Sequence, residues 1–149
     1  MCSSDLIDLY DTLLTMGELN MSHDFKRNPT MYALVHEIGH WVHLDYLPKD
    51  VKEWWDKPWE GIDTSDPNYN PYHHRQLESL RVPTEYGLTN VKEDFAETFA
   101  WYFLDPSSLH PDARARMKTA LTMAKDRGRS LMRHARSIYS PPHPDYFTR

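Results

Sequence analysis

The chain has 149 residues and a net charge of −5, and it contains five Trp, nine Tyr and five Phe. This size and composition predict one domain with a single hydrophobic core. No run of eighteen apolar residues is present and the N-terminus lacks signal-peptide features, so we expect no membrane span. The single cysteine, Cys2, excludes an intrachain disulfide and disfavours a cysteine-ligated metal site.

The N-terminal segment yields two expectations. The first six residues, MCSSDL, are what a common sequencing adapter encodes when it is read through from a GTG start. We therefore expect that residues 1–6 are not native and that the natural protein extends further upstream. Within residues 6–24, the stretch from Leu6 to Leu14 fits either a short helix or a strand, and the stretch from Gly17 to His23 alternates as a strand does.

The first clear helix is predicted from Asn28, as N-cap, to about Tyr46, with Pro29 as a suitable first helical residue. Pro48 ends the segment. At about 100° per residue, the histidines lie about 100° or more away from an apolar stripe. The stripe consists of Met31, Val35, Ile38 and Val42. The helix is therefore predicted to have a core face and a separate histidine face.

Residues 36–40 within this helix read His-Glu-Ile-Gly-His, an HExxH motif. Side chains four residues apart lie on one helix face, so His36 and His40 can bind one metal ion, most commonly zinc. Glu37 can then take a proton from water that the metal activates. The alternative is two surface histidines on an ordinary helix. His43 is interpreted as a residue that supports the site or lies on the surface.

Residues 48–72 are rich in Pro, Asp, Asn and Trp and contain no long periodic segment, so we expect an irregular connection. Trp54, Trp55 and Trp59 could line a cleft, but aromatic residues in a long loop usually anchor that loop on the core. Core packing is therefore the favoured interpretation. A short helical pattern follows and runs through Arg81.

A second helix is predicted between Asn90, as N-cap, and Asp105-Pro106. This helix is predicted to have an aromatic face and a face with two glutamates. One carries Phe95, Phe99 and Tyr102, and the other carries Glu93, Glu97 and Ala100. The small residues Ala96 and Ala100 predict a close approach to the first helix.

The glutamates of this second helix provide the missing metal ligand. A zinc site with two histidines needs a third protein ligand and an open position for water. We assign the ligand role to Glu93. Glu97 would then accept the outer ring N–H of a ligating histidine, with His36 the favoured partner. The two roles can also be reversed, and both side chains could instead be solvated helix charges.

The rest of the chain is predicted to be helical and basic. One or two helices from Pro111 to about Ser137, interrupted near Gly128, should pack on the metal helices. Residues 110–149 carry nine basic and three acidic side chains. Such charge is usually a solvated face, so we expect no nucleic-acid partner. Residues 140–149 are expected to form an extended tail.

The combination of HEIGH, YGLTN and EDFAETFA, across roughly residues 31–104, resembles the catalytic domain of the anthrax lethal factor family, which also includes the Pro-Pro endopeptidases. In that family a tyrosine seven residues before the glutamate ligand stabilises the oxyanion, and Tyr86 stands seven before Glu93. The resemblance favours Glu93 over Glu97 as ligand. It implies the zinc ligands His36, His40 and Glu93, with Glu37 as general base and Tyr86 as oxyanion stabiliser.

We therefore expect residues 1–149 to form a mostly helical α+β domain of the zincin type, with a small or truncated sheet. The expected function is that of a monomeric zinc endopeptidase of the gluzincin type, acting on proteins or peptides. The alternative is a non-catalytic, zinc-stabilised binding or structural module of a larger phage or toxin polypeptide. A metal-dependent hydrolase of non-peptide bonds is a third interpretation. Glu37 favours the enzyme, because a purely structural site needs no base.

Overall fold

A computed structural model describes residues 29–138, and this part of the chain is mostly helical. The α-helices are α1 (Pro29–Trp41), α2 (Lys49–Asp56), α3 (Arg75–Glu78), α4 (Val91–Leu104) and α5 (Pro111–Ile138). A π-helical turn, Val42–Tyr46, continues α1. Short 3-10 helices span Lys57–Trp59, Pro71–His73 and Tyr86–Leu88.

No strand occurs between residues 29 and 138, so the structure confirms the helical character of the prediction without showing a sheet. The segment predicted to contain a strand, residues 6–24, lies outside the described residues. The proposed N-cap Asn28 and the predicted tail, residues 140–149, also lie outside them. None of the helices within the described range is long and apolar enough to cross a membrane.

α4 is the central helix, and it packs most extensively against α1. Asn90 caps its N-terminus as predicted, because its side chain accepts hydrogen bonds from the backbone N–H groups of Lys92 and Glu93 at 3.0 and 3.1 Å. Every residue from 94 to 101 is buried, so α4 has no solvated face over these turns. α1 covers the face that carries Glu97 and Ala100, which confirms the close approach of the two helices predicted from the small residues of α4.

The prediction for the core face of α1 was partly wrong. Met31 and Ile38, which were assigned to the core stripe, are 44% and 41% exposed. The buried residues of the helix are instead Tyr32, Ala33, His36 and Gly39. The reason is that α4 packs on the histidine face, so the polar residues are buried together with their partners.

α2 and α5 complete the core on the other side of α4. The shared cluster includes Val51, Trp55, Phe95, Phe99 and Met117. Residues 49–56 are helical rather than irregular, since Val51 and Trp55 lie one turn apart and both point into this core. Trp55 and Trp59 are buried as favoured by the sequence, whereas Trp54 is exposed.

α5 is one continuous helix, so the predicted interruption near Gly128 is wrong. Gly128 has no neighbour within 4 Å of the position that a Cβ would occupy, so nothing forces a break there. A buried ion pair fixes α5 to α4. Arg116 donates to Asp94 at 2.9 Å and lies 3.6 Å above the ring of Trp55, whose carbonyl oxygen also accepts from Arg116 at 2.9 Å.

Candidate metal centre

The α1–α4 contact brings together the three residues that the sequence proposed as metal ligands. Nε2 of His36 lies 3.1 Å from Nε2 of His40. Oε2 of Glu93 lies 3.1 Å from the first nitrogen and 3.2 Å from the second. These atoms therefore form a nearly equilateral triangle, and the group can hold a metal ion.

The chemistry of this triangle fits a cation. Two imidazole nitrogens and a carboxylate oxygen at this spacing repel one another unless a metal ion or a proton lies among them. Oε2 of Glu93 is buried, and no hydrogen bond of acceptable geometry reaches it. Zinc with ligand distances of about 2.0–2.1 Å and tetrahedral angles holds its ligand atoms about 3.3–3.4 Å apart. The observed spacing is therefore close to what a tetrahedral ion requires.

His36 and Glu93 strongly shift each other's pKa. Burial disfavours the charged form of His36, but the carboxylates of Glu93 and Glu97 outweigh it and raise the pKa of His36 to about 9. Burial also opposes ionisation of Glu93, yet the adjacent imidazoles of His36 and His40 lower the pKa of Glu93 to about 2. Without a metal, the site therefore holds a carboxylate beside a protonated His36 at neutral pH.

Glu97 supports His36 from the side opposite the triangle. Oε1 of Glu97 lies 2.8 Å from Nδ1 of His36. A carboxylate only accepts hydrogen bonds, so Nδ1 carries the hydrogen and Nε2 is the metal-binding nitrogen of the neutral ring. The structure thus brings Glu97 to the partner that the sequence favoured, with Glu93 rather than Glu97 in the triangle.

Two further residues bind Glu97, and neither was predicted from the sequence. The hydroxyl of Tyr32 donates to Oε1, and the hydroxyl of Thr84 donates to Oε2. With the N–H of His36, the fully buried carboxylate accepts three hydrogen bonds. The signal for Tyr32 was its position one turn before His36 on the same face of α1. Thr84 carried no signal, because its contact depends on how residues 79–90 fold.

Thr84 also positions the turn that carries Tyr86. Its hydroxyl oxygen accepts from the backbone N–H of Gly87 at 3.0 Å. A Cβ at position 87 would lie 2.5 Å from Cγ1 of Val82 and 3.2 Å from Cβ of Glu97. Glycine is therefore needed for this turn to reach α4. The result is that Tyr86 is placed next to the triangle.

Tyr86 lies next to the triangle of His36, His40 and Glu93, and Glu37 directly follows His36 on α1. The ring of Tyr86 lies 5.9 Å from the ring of His36, centroid to centroid, and its side chain is 47% exposed. Burial, followed by the charge of Glu93 and a smaller contribution from Glu37, raises the pKa of Tyr86 to about 12. Its hydroxyl therefore keeps its proton at neutral pH and can donate a hydrogen bond.

His43 does not join the triangle. Its ring is fully buried, stacks on Phe95 at 4.8 Å between centroids, and places Nε2 2.7 Å from Oδ1 of Asp56. Burial opposes ionisation of Asp56, but His43 and Lys52 outweigh it and hold the pKa of this carboxyl below its usual value. His43 therefore links α2 to the π-helical turn that continues α1. This agrees with the interpretation of His43 as a residue that supports the site.

The arrangement defines a helical protein with a candidate metal centre made of two histidines and one glutamate. Comparison with protein-family models, curated proteins and solved structures finds no match to the chain. The function is therefore argued from the site itself.

Proposed function

We propose that the protein is a zinc-dependent endopeptidase in which His36, His40 and Glu93 hold the metal. The observation that carries the proposal is the convergence of two imidazole nitrogens and one carboxylate oxygen within 3.2 Å. Structural zinc sites are usually closed by four protein ligands, whereas catalytic sites have three and leave one position for water. Within residues 29–138, three ligands converge, which favours a catalytic site.

Zinc held there would act as a Lewis acid, polarising the substrate carbonyl and lowering the pKa of water towards neutrality. In this mechanism the carboxylate of Glu37 accepts the proton of the attacking water and then gives it to the leaving amine. The protonated hydroxyl of Tyr86 donates a hydrogen bond to the oxyanion that develops on the cleaved carbonyl. Glu97 keeps the ring of His36 in one tautomer and one orientation.

The openness of the site supports turnover over a purely structural role. The side chains of His40 and Glu93 are 20% and 16% exposed, and Tyr86 is about half exposed. Substrate can therefore approach from this side, while the opposite side is closed by Glu97 and Tyr32. A structural module would require neither the carboxylate of Glu37 nor the hydroxyl of Tyr86.

We extend the proposal to the zincin fold and to likeness with the lethal factor family. The support is the order of the motifs along the chain, with HExxH on one helix and the glutamates on the next, and the tyrosine turn between them. The small sheet of such a fold would have to come from outside residues 29–138. The pattern in residues 6–24 is the candidate for it.

Digestion of a diverse peptide library by the full chain tests the function. The reactions would contain zinc and would be compared with a chelator control and with Glu37→Gln. Glu53→Gln, an exposed glutamate of α2, serves as the matched control. We expect cleavage by the wild type and Glu53→Gln and none in the other two reactions. Stoichiometric zinc binding without any cleavage would contradict the proposal and favour the non-catalytic module.

A further inference from the structure

Asp94 is a fully buried carboxylate that the proposed mechanism does not use. It directly follows Glu93 on α4, and its side chain has no exposed surface. Among the described residues 29–138, only one other carboxylate is buried to this extent, that of Glu97, which supports His36. Burial of a carboxylate is unfavourable unless the charge is paired and hydrogen-bonded. Asp94 therefore depends on specific partners.

Those partners come from two elements other than α1 and α4. Nη1 of Arg116, on α5, lies 2.9 Å from Oδ2 of Asp94 and 3.2 Å from Oδ1. Nε1 of Trp59, on the 3-10 helix that follows α2, donates to Oδ2 at 3.0 Å. The hydroxyl of Thr98, one turn further along α4, lies 3.3 Å from Oδ1. The carboxylate of Asp94 thus connects α4 to both of the other elements.

Arg116 is itself held in one orientation. Its Nη2 donates to the backbone carbonyl of Trp55 at 2.9 Å, and its guanidinium lies 3.6 Å above the ring of that residue. The side chain of Arg116 is only 12% exposed. A guanidinium presents its N–H groups in a fixed planar fork and stacks on aromatic rings, and a lysine reproduces neither property. The ion pair with Asp94 is therefore directional as well as electrostatic.

Glu93 and Asp94 point to different sides of α4, because successive residues of an α-helix are about 100° apart. Oε2 of Glu93 lies 3.1 and 3.2 Å from the Nε2 atoms of His36 and His40 on α1. Asp94 is paired with α5 instead. Rotation of α4 about its axis would move both carboxylates together. A restraint on Asp94 therefore also restrains the direction in which Glu93 points.

Small rotations of α4 would matter at a metal centre. The side chains of an α-helix reach about 5–6 Å from its axis, so a rotation of about 10° displaces a side-chain atom by about 1 Å. Distances between a metal and its ligands vary by only about 0.2 Å. The contact of Gly39 with Ala96 sets how closely α1 and α4 approach. The restraint at Asp94 acts from another side of α4 and limits its rotation.

We propose that Asp94 and Arg116 are positioning residues of the metal centre. Their ion pair limits the rotation of α4 and so keeps the carboxylate of Glu93 in the triangle with the two histidines. This inference rests on the proposed function only through its metal centre, since it does not depend on the bond that is cleaved. It makes zinc binding depend on α5, which carries none of the three ligands.

Substitution of both charged residues tests the role. Arg116→Met alone would leave the buried carboxylate unpaired and should destabilise the fold, whereas the double variant Asp94→Asn/Arg116→Met removes both charges. The double variant keeps an acceptor oxygen for Trp59. Arg116→Lys retains the charge without the fork, and it decides the question if the double variant does not fold. Val51→Ala, in the core that α2 and α5 share, lowers stability while the ion pair stays intact.

The readouts are zinc affinity, from competition with a fluorescent chelator, and the free energy of unfolding of the metal-free full chain. We expect zinc affinity to fall by at least about tenfold in the double variant and in Arg116→Lys, as when a group that orients a ligand is lost. Val51→Ala should lose stability and keep the wild-type affinity. The visible absorption of bound Co²⁺ depends on ligand geometry, so it should change in the double variant and not in Val51→Ala.

Peptide cleavage, measured in parallel, separates this inference from the proposed function. Wild-type zinc affinity in the folded double variant or in Arg116→Lys would overturn the positioning role and leave the peptidase standing. An equal fall in Val51→Ala would also overturn it, because lower stability would then explain the effect. Reduced affinity in the two charge variants only, with no cleavage by the zinc-loaded wild type, would support the positioning role and overturn the peptidase. Absence of zinc binding by the wild type would overturn both.

Discussion

Gly39 of α1 lies directly against Ala96 of α4. A Cβ at position 39 would stand 2.9 Å from the Cα of Ala96 and 3.2 Å from the Cβ of Phe99. The first contact is with backbone, which cannot move aside as a flexible side chain can. Glycine at this position of the HExxH motif therefore allows the two helices to approach closely enough for Glu93 and Glu97 to reach His36.

Gly39→Ala should destabilise the protein and weaken its metal site. Overpacking of this kind costs about 1–3 kcal/mol, which exceeds the gain of up to about 1 kcal/mol from replacing glycine in a helix. Denaturant unfolding and zinc titration would measure the two effects. Gly128→Ala is the matched control, because the added Cβ meets nothing within 4 Å and should stabilise α5. Equal stability of both variants would contradict the close approach.

Zinc binding should release a proton at neutral pH. The pKa of His36 is raised to about 9, so the metal-free protein holds a proton on this ring, whereas zinc requires the neutral form. Calorimetric titration at pH 7.5 in buffers of different ionisation enthalpy should show release of about one proton per zinc. An observed enthalpy that does not depend on the buffer would refute the coupling.

The same groups predict how metal-free stability depends on pH. The folded pKa of His36 lies above its ordinary value of 6.5, so its contribution is fully present below pH 6.5 and is lost as the pH rises through about 9. The folded pKa of Glu93 is lowered to about 2, so its contribution is present above its ordinary pKa of 4.5 and is lost as the pH falls towards 2. Urea unfolding with chelator across this range measures both losses. His36→Gln should remove the alkaline one.

Glu97→Gln should weaken zinc binding by about 10- to 100-fold, the usual effect of losing a partner that orients a ligating histidine. The carboxylate of Glu97 accepts hydrogen bonds from Tyr32, His36 and Thr84. A glutamine side chain has only one acceptor oxygen, so at least one of these donors would face the NH2 group of the amide. Competition with a fluorescent zinc chelator gives the affinity. Glu53→Gln should retain the wild-type value, and unchanged affinity in Glu97→Gln would argue against the supporting role.

Tyr86→Phe should lower kcat by about 10² to 10³ while zinc affinity and stability stay close to those of the wild type, as for loss of one oxyanion donor. We expect kcat to change without a change in zinc affinity because Tyr86 lies next to the triangle but supplies none of its three ligand atoms. Tyr46→Phe removes the hydroxyl from another exposed tyrosine and serves as control. Wild-type turnover in Tyr86→Phe would exclude this residue from the mechanism.

The sequence was sufficient to predict what depends on local pattern and spacing. The limits of α4 followed from Asn90 and Asp105-Pro106, and the meeting of His36 with Glu93 and Glu97 followed from helical periodicity with small residues at the contact. The exposure of Ile38 could not be predicted from the apolar pattern of α1. Periodicity places apolar residues inside, but in α1 the buried side is decided by the partner helix, whose glutamates satisfy the histidines.

Contacts between distant segments were the other part that the sequence could not supply. Thr84 lies on an irregular segment, and its bond to Glu97 depends on a turn held by Gly87 and Val82. The regularity of α2 was missed because eight residues are too few to show a long period. The uninterrupted course of α5 through Gly128 is explained by open space around that residue, which only the structure reveals.

Equilibrium titration of zinc into the metal-free full chain tests the metal centre most directly, with Glu93→Gln and Glu53→Gln titrated in parallel. We expect one zinc per chain. The affinity should fall more than about 100-fold in Glu93→Gln, which exceeds the usual effect of replacing a residue that only supports a ligand, and it should not change in Glu53→Gln. The absence of stoichiometric zinc binding by the wild type, or equal affinity of Glu93→Gln and the wild type, would contradict the proposed metal centre.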